Sequence, residues 1–460
     1  MFTKVLVANR GEIARRVMRT CKRLGIATVA VYSDADESAP HVQDADQAVR
    51  IGPAPVKESY LNAAAILEAA RSTGAQAIHP GYGLLSEKAS FAQAVIDAGL
   101  VFIGPPVSAL EAFGDKMKAR HVAIAAGVPP VPGVDAPIPA DDLALAQKEC
   151  ARIGYPIVVK AVGGGGGIGM QVVKDEASLE RSLKSCSDRA AQAFGDARVY
   201  LERYVGKPRH IEVQIFCDAH GHAIALGERE CSMQRRHQKI IEESPSPLLA
   251  GEKGERARQI LFDRALKVVK SAGYLGAGTV EFIVDGRTPE EPFFLEVNAR
   301  LQVEHPVTEM CTSLDLVEAQ LLVAAGEPLP PAMLDHQRRG HAVEVRVCAE
   351  EPRKMFVPRP GPVDVVKWPA ASEDLRIESG VAPGSKVTPF YDSMIAKVVA
   401  HADDRATAIA RLDAALAATE LSPIVSNLAF LRELLQSDAF RTGDYDTLFA
   451  EAFAKQPVAK

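Results

Sequence analysis

Cysteine is sparse and never clustered in this chain. The seven residues, Cys21, Cys150, Cys186, Cys217, Cys231, Cys311 and Cys348, form no CxxC pair and no Cys/His group. That spacing argues against a zinc site and against a disulfide framework. Long apolar runs are lacking too. Stretches such as 157–159 and 321–325 are far too short to span a bilayer. Positive charge is not in excess: the net charge is −6 and the pI is about 6.1. Electrostatics therefore give no general reason to expect nucleic acid or an anionic membrane as partner. The opening MFTKVLVANRGEIARR has no apolar signal core and no cleavage site, so a cytoplasmic protein is expected. The first strand-to-helix turn, Asn9-Arg10-Gly11, is not GxGxxG, which leaves a nicotinamide cofactor poorly supported. No internal repeat, low-complexity tract or lipidation signal occurs.

What is present is a chain of 460 residues, 47% of them hydrophobic, enough to bury a large core in two or three domains. Residues 4–8 read as a strand. Ile13, Val17, Cys21 and Leu24 then follow the helical period, and a second strand covers 27–32. Helices over 60–72 and 90–97 alternate with strands over 75–78 and 101–104, the pattern of a parallel α/β domain of roughly a hundred residues. A helix over 115–126 leads to prolines through Pro139 that mark a boundary. Beyond it, strands over 155–160 and 172–173 flank five consecutive glycines, Gly163 to Gly167. A hairpin needs one or two glycines, and each extra one adds entropy that folding must overcome. Five point to a backbone that closes over a ligand such as phosphate. No Gly-Lys-Ser/Thr follows, so this is not a Walker A loop. Lys160 and Lys116 stand near it. Further strands contain VYLERYV, HIEVQIFCD and AIALGERECSM, and the basic run from Gln234 to Lys239 follows them. Helices are expected over 254–272 and 314–325. Residues 341–349 alternate, with Glu344 and Arg346 on one face. Short strands over 363–399 and a terminal helix over 405–419 complete the pattern.

The stretch FFLEVNARLQVEHPVTE, residues 293–309, asks the most of its polar side. Glu296, Asn298, Arg300 and Gln302 fall at every second position, so an extended strand would put all four on one face. Glu304 and His305 continue the polar set to Pro306. Glu281, on the preceding strand GTVEFIV, is placed to pair across the turn-rich 285–292 link. Two carboxylates and an amide oxygen converging across a hairpin suit a hard cation such as Mg2+. An adjacent Arg suits a planar oxyanion.

The segments VANRGEIA, HPGYGLLSE, GGGGGIGM, ERECSMQRRHQK, EVNARLQVEHPVTEM and GHAVEVR together resemble those of biotin carboxylases, ATP-grasp ligases, over essentially the whole chain. The resemblance implies a mixed α/β (α+β) fold: an N-terminal Rossmann-like domain (1–114), a linker (115–131), a small glycine-rich lid (132–204) and a C-terminal region (205–460) with an antiparallel sheet. It implies ATP contacts for Lys116, Lys160, Gly165, Gly166, Gly167, Glu202, Arg203, Val205, His210, Gln234 and His237, together with Glu281 and Glu296. Glu281, Glu296 and Asn298 match ligands of Mg2+ or Mn2+. Lys239, Arg300, Gln302 and Val303 match a bicarbonate pocket, Glu304 a general base and Arg346 the arginine facing biotin. The implied activity is carboxylation of carrier-bound biotin through carboxyphosphate, as the first half-reaction of an acyl-CoA carboxylase; a pyruvate-type carboxylase is the alternative. Partners would be a biotin carboxyl carrier, a carboxyltransferase and a second copy of the chain.

Two departures stand out. Arg23 occupies a position where relatives commonly carry an acidic residue, on a helix associated with dimerisation. Ile168 stands where the family usually has Arg or Lys. No Ala-Met-Lys-Met motif occurs, so a separate carrier is expected. Another ATP-grasp ligase, or a non-catalytic ATP-binding subunit, are the rival readings. Neither requires Glu304 and Arg346 together. If backbone N–H groups carry the phosphate contacts of the glycine loop, Ile168→Arg will change ATP affinity only modestly in a nucleotide titration. A large gain would show that the missing cation matters.

Overall fold

The computed structural model describes residues 1–162 and 170–456. The glycine loop, with Gly165, Gly166, Gly167 and Ile168, lies outside the described residues. A five-stranded parallel sheet opens the chain, in the order Gln47–Gly52, Ala27–Ser33, Lys4–Val7, Ala77–His79, Val101–Phe102. Helices Gly11–Arg23, Ala63–Thr73 and Ala89–Asp97 alternate with its strands, as the periodicity requires. At the carboxyl ends of the central strands, Asn9 Nδ2 donates to the carbonyls of Pro80 (2.7 Å) and Tyr82 (2.8 Å). Gly81 sits there at φ +63°, and a Cβ on it would meet Asn9 Nδ2 at 2.8 Å. Only glycine fits that approach.

A three-stranded antiparallel sheet follows, ordered Met170–Val173, Ile157–Ala161, Val199–Arg203. Helices Leu143–Ile153 and Leu179–Phe194 accompany it; Cys150, Leu183 and Cys186 join Val159 and Leu201 in one buried cluster. Neither helix was expected from the sequence. Both carry apolar residues at helical spacing, Leu143, Ala146, Cys150 and Ile153 in the first and Leu179, Leu183, Cys186 and Ala190 in the second; beside the prolines and the glycine run, that spacing was passed over.

An eight-stranded antiparallel sheet carries the rest. Its order is Phe293–Asn298, Gly276–Asp285, Pro208–Cys217, Ala223–Arg235, Gln238–Ser244, His341–Cys348, Met394–Ala402, Leu375–Ser379. Helix Gly251–Ser271 covers part of one face through Leu261, Ala265 and Val268, packed with Ile211, Val213 and Ile215. Further along, Val343, Val345 and Val347 pack on Leu412 and Leu416 of helix Arg405–Ala417. The alternate residues Glu344 and Arg346 therefore take the opposite face. The chain does not end on that helix, as the sequence pattern had indicated; Leu428–Gln436, Asp438–Thr442 and Phe449–Ala454 follow it. Leu434 and Phe440 bury against the same cluster.

Glu243 ties this layer together. It accepts from Arg405 Nε (2.6 Å) and Tyr445 OH (2.6 Å), and His341 Nε2 lies 2.7 Å away. Burial pushes its carboxyl up, but His341 and Arg405 outweigh burial and bring the pKa down to about 2 from 4.5. A depressed carboxyl contributes stability that is present above its unfolded pKa and is lost as pH falls through the folded one. Urea unfolding should therefore show stability falling from pH 5 toward pH 2. Glu243→Gln should lose about 3 kcal/mol at pH 7, with the deficit shrinking at acid pH.

Candidate active site

A cleft of about 950 Å³ opens between the eight-stranded sheet, the small sheet and the parallel domain. Lys116 enters it from the first turn of helix Lys116–Ala125, which Asp115 caps through the backbone N–H of Met117 and Lys118. Lys160 enters from the middle strand of the small sheet and is ion-paired with Glu202. Glu202 and Arg203 close the neighbouring strand, and Val205 follows; all three line the cleft. His210 stands on strand Pro208–Cys217, its Nδ1 2.7 Å from Gln234 Nε2 and its Nε2 2.9 Å from Glu281 Oε2. Burial disfavours the charged imidazole, yet Glu281 outweighs it and raises its pKa. His237 lies in the tight turn between Ala223–Arg235 and Gln238–Ser244, where both Arg236 and His237 have positive φ. The basic run is thus a hairpin turn at the cleft, with Gln234 before it and Lys239 after.

Glu281 and Glu296 are direct cross-strand partners, so their side chains leave the sheet on the same face. Val280 and Val297 bury on the other. Burial pushes Glu296 up, and the Glu281 charge adds to it; Lys116 pulls the other way. Burial also raises Glu281, but Lys239 and His210 bring it well below the usual range. Asn298 stands two residues along from Glu296; its Oδ1, the atom a cation would take, accepts from Arg300 Nη2 at 3.0 Å, and its buried Nδ2 has no partner among the described residues. Two opposed carboxylates beside an amide are the donor set and the charge imbalance that a hard divalent cation relieves.

The extended conformation stops at Asn298, two residues before Arg300. Residues 299–304 turn away, and Glu304 becomes the N-cap of helix His305–Thr312, with Pro306 in its first turn. Arg300, Gln302 and Glu304 are therefore not aligned by strand alternation, as the spacing had implied. Side-chain bonds gather them instead. Arg300 donates from Nη1 to Gln302 Oε1 (2.7 Å), from Nη2 to Asn298 Oδ1 (3.0 Å) and from Nε to Glu87 Oε2 (2.8 Å). Gln302 Nε2 reaches Glu281 Oε1 at 3.3 Å. Val303 lines the cleft beside them.

Glu304 is fully buried. Lys239 Nζ donates to its Oε1 (2.6 Å) and Arg346 Nη2 to its Oε2 (2.9 Å). Burial raises its pKa, but Lys239 and Arg346 overwhelm that and hold it well below the carboxylate range. Lys239 also donates to Glu281 Oε1 (2.8 Å) and Glu212 Oε2 (2.5 Å). Ligand atoms of His210, Glu212 and Glu281 come within 4.8 Å of one another, as do those of Glu212, Cys231 and Glu304. Lys239, with Arg229 and Arg346, supplies the cations at both clusters, whereas the Glu281 charge only pushes Glu296 further up, so the pair that suits a metal is Glu281 and Glu296. Sequence reasoning passed over Glu212 and Glu242, and gave Glu87 no role. Glu242 accepts from Arg346 Nε at 2.6 Å, and burial, opposed by Arg346, puts its pKa at about 7. Glu87 was visible only as the last residue of HPGYGLLSE.

Like charges directly opposed on a hairpin destabilise it. Glu296→Gln should raise the thermal unfolding midpoint of metal-free protein and remove most of the stabilisation that Mg2+ confers. A variant still stabilised fully by Mg2+ would place the ion elsewhere.

Three family models cover nearly all of this chain: the biotin carboxylase N-terminal domain over 1–110, the carbamoyl-phosphate synthase L chain ATP-binding domain over 115–332, and the biotin carboxylase C-terminal domain over 344–452. Biotin carboxylase 2 of Bacillus subtilis is 49% identical, across 98% of this chain and 99% of its own length. The propionyl-CoA carboxylase alpha chain of Ruegeria pomeroyi is 46% identical, across 98% of this chain and 68% of its own. Among solved structures, the biotin carboxylase domain dimer of Hydrogenobacter thermophilus 2-oxoglutarate carboxylase, determined with MgADP, ADP and bicarbonate, superimposes with a TM-score of 0.92. It is 41% identical and covers 100% of both chains. The protein belongs to the biotin carboxylase family, and is an ATP-dependent ligase built on the ATP-grasp fold.

Proposed function

We propose that the chain carboxylates biotin held on a separate carrier protein, using ATP and bicarbonate, as the first half-reaction of a biotin-dependent carboxylase. One observation carries the chemistry: a fully buried Glu304 is bonded on one oxygen by Lys239 and on the other by Arg346, beside the cluster of Arg300, Gln302 and Val303. Bicarbonate seated on Arg300 and Gln302 would present its proton to Glu304. A carboxylate held this low is a weak base on its own. The guanidinium of Arg300 and the ammonium of Lys239 compensate, because both favour the doubly charged anion that loss of the proton creates.

Lys116 and Lys160 would steady the ATP phosphates. Glu202, Arg203 and Val205 would border the adenine. His210, Gln234 and His237 would complete the nucleotide wall. Glu281, Glu296 and Asn298 would hold Mg2+ or Mn2+, which when bound neutralises charge on the transferring phosphoryl group. Attack by bicarbonate on that group gives ADP and carboxyphosphate, which breaks down to CO2 and phosphate. Phosphate takes the N1 proton of biotin, Arg346 steadies the enolate, and CO2 joins N1. The relatives include carboxylases of acyl-CoA and of 2-oxo acids alike, and the acceptor is chosen by the carboxyltransferase rather than by this chain. A carboxyltransferase would complete that transfer, and the working unit would be a homodimer or part of a larger complex. Arg23, on the helix associated with dimerisation, is satisfied within its own chain by Asp315 (2.9 Å) and Glu318 (2.5 Å).

The test is bicarbonate-dependent ATP hydrolysis by the purified chain. Turnover should rise on adding free biotin, and Glu304→Gln should lower it about 10²–10⁴-fold. Turnover that ignores biotin but responds to an amine acceptor would favour a different ATP-grasp ligase.

A further inference from the structure

We propose that Lys397 is a positioning residue for the bicarbonate pocket, an inference that rests on the reading of that pocket given above. Lys397 lies on strand Met394–Ala402 and its side chain is fully buried. Its same-face neighbours Ile395 and Val399 are apolar and fully buried, so packing alone asks for a hydrocarbon at 397. Instead the ammonium donates to the backbone carbonyl of Val303 at 2.8 Å and lies 3.2 Å from Glu12 Oε1. Tyr82 holds Glu12 from the other side by donating its hydroxyl to the same oxygen.

The register explains what this does. Lys397 is the direct cross-strand partner of Arg346, so two cations project side by side from adjacent strands. Opposed like charges cost a sheet stability. Here the two grip consecutive residues of one turn: Arg346 takes the Glu304 carboxylate and Lys397 takes the Val303 carbonyl. A third group holds the turn from behind. His305 Nδ1 lies 2.7 Å from the Gln302 carbonyl; an oxygen acceptor requires that Nδ1 carry the proton. Every residue from Gln302 to Glu304 is thus held by a side chain, those of His305 and Lys397 buried and that of Arg346 partly so. The segment needs this because it is not in the sheet ladder, where backbone bonds would have fixed it. Removing Lys397 would leave the Val303 carbonyl without its buried donor and free the peptide planes on either side of that residue. Gln302 and the Glu304 base would shift relative to Arg300, while Lys116, Lys160 and Glu202, held by other elements, would stay.

Lys397→Met keeps the stem and removes the donor. In steady-state ATP hydrolysis by the full chain, the bicarbonate KM should rise about tenfold, and kcat/KM for bicarbonate should fall on the order of a hundredfold. The KM for ATP should remain within about twofold of wild type. A purely structural lysine would move both KM values together or neither, and either result overturns the inference. If Lys397→Met does not fold, Glu12→Gln is the second variant: it loosens the ammonium from one side and should raise the bicarbonate KM alone, by a smaller factor. An unchanged bicarbonate KM in a folded Glu12→Gln would likewise overturn the inference. A wild-type chain with no bicarbonate-dependent turnover would overturn the functional reading and this inference with it; an active wild type with an unaltered Lys397→Met would overturn this inference alone.

Discussion

Three buried carboxylates meet at one ammonium. Glu212, Glu281 and Glu304 come from three separate places in the fold, and Lys239 Nζ bonds all three. Without a cation there, three ionised groups in a low-dielectric interior would repel strongly, and burial would drive them to protonate. With it, Glu281 and Glu304 are both held below the ordinary range, while Glu212 is pushed up by burial. Arg229, itself fully buried, carries a further part of this balance through Glu212, Gln214, Thr279 and Thr308.

That one ammonium links two chemistries. Glu281 belongs to the carboxylate pair suited to a metal and hence to the nucleotide; Glu304 belongs to the base. Because both depend on Lys239, the nucleotide end and the bicarbonate end of the cleft share a cation rather than standing as independent sites. Arg346 repeats the device. It bonds Glu304 on one side and Glu242 on the other, with Glu344 on the same face pushed up by burial and without a hydrogen-bond partner among the described residues.

The hairpin of Glu281 and Glu296 was legible from the sequence because two short alternating runs flank a turn-rich link, which sets the two strands side by side. The parallel N-terminal sheet was legible for a similar reason: its helices carry a clear period. Pro208–Cys217 hid its contribution. Its residues do alternate, with His210, Glu212 and Gln214 on one face and Ile211, Val213 and Ile215 on the other; that pattern is also the one of a strand whose polar face meets solvent, whereas here both faces are buried. The bend after Asn298 was missed because apolar and polar residues keep alternating through 302, although the chain has left the strand. Only the cap at Glu304 and Pro306 marks the change. Lys397 and Glu87 lie far along the chain from the turn they support, and nothing local in the sequence links them to it.

The ionisation of Glu304 decides the account. Glutamate side-chain carboxyls labelled with 13C, with the Glu304 signal identified by its loss in Glu304→Gln, report it directly by NMR. The account predicts a Glu304 signal that stays that of a carboxylate from pH 8 down to pH 5, and that titrates at higher pH than in the wild type once Lys239→Met removes the cation that most opposes burial. A Glu304 that titrates near the ordinary glutamate value in the wild type, or that ignores the loss of Lys239, would contradict it.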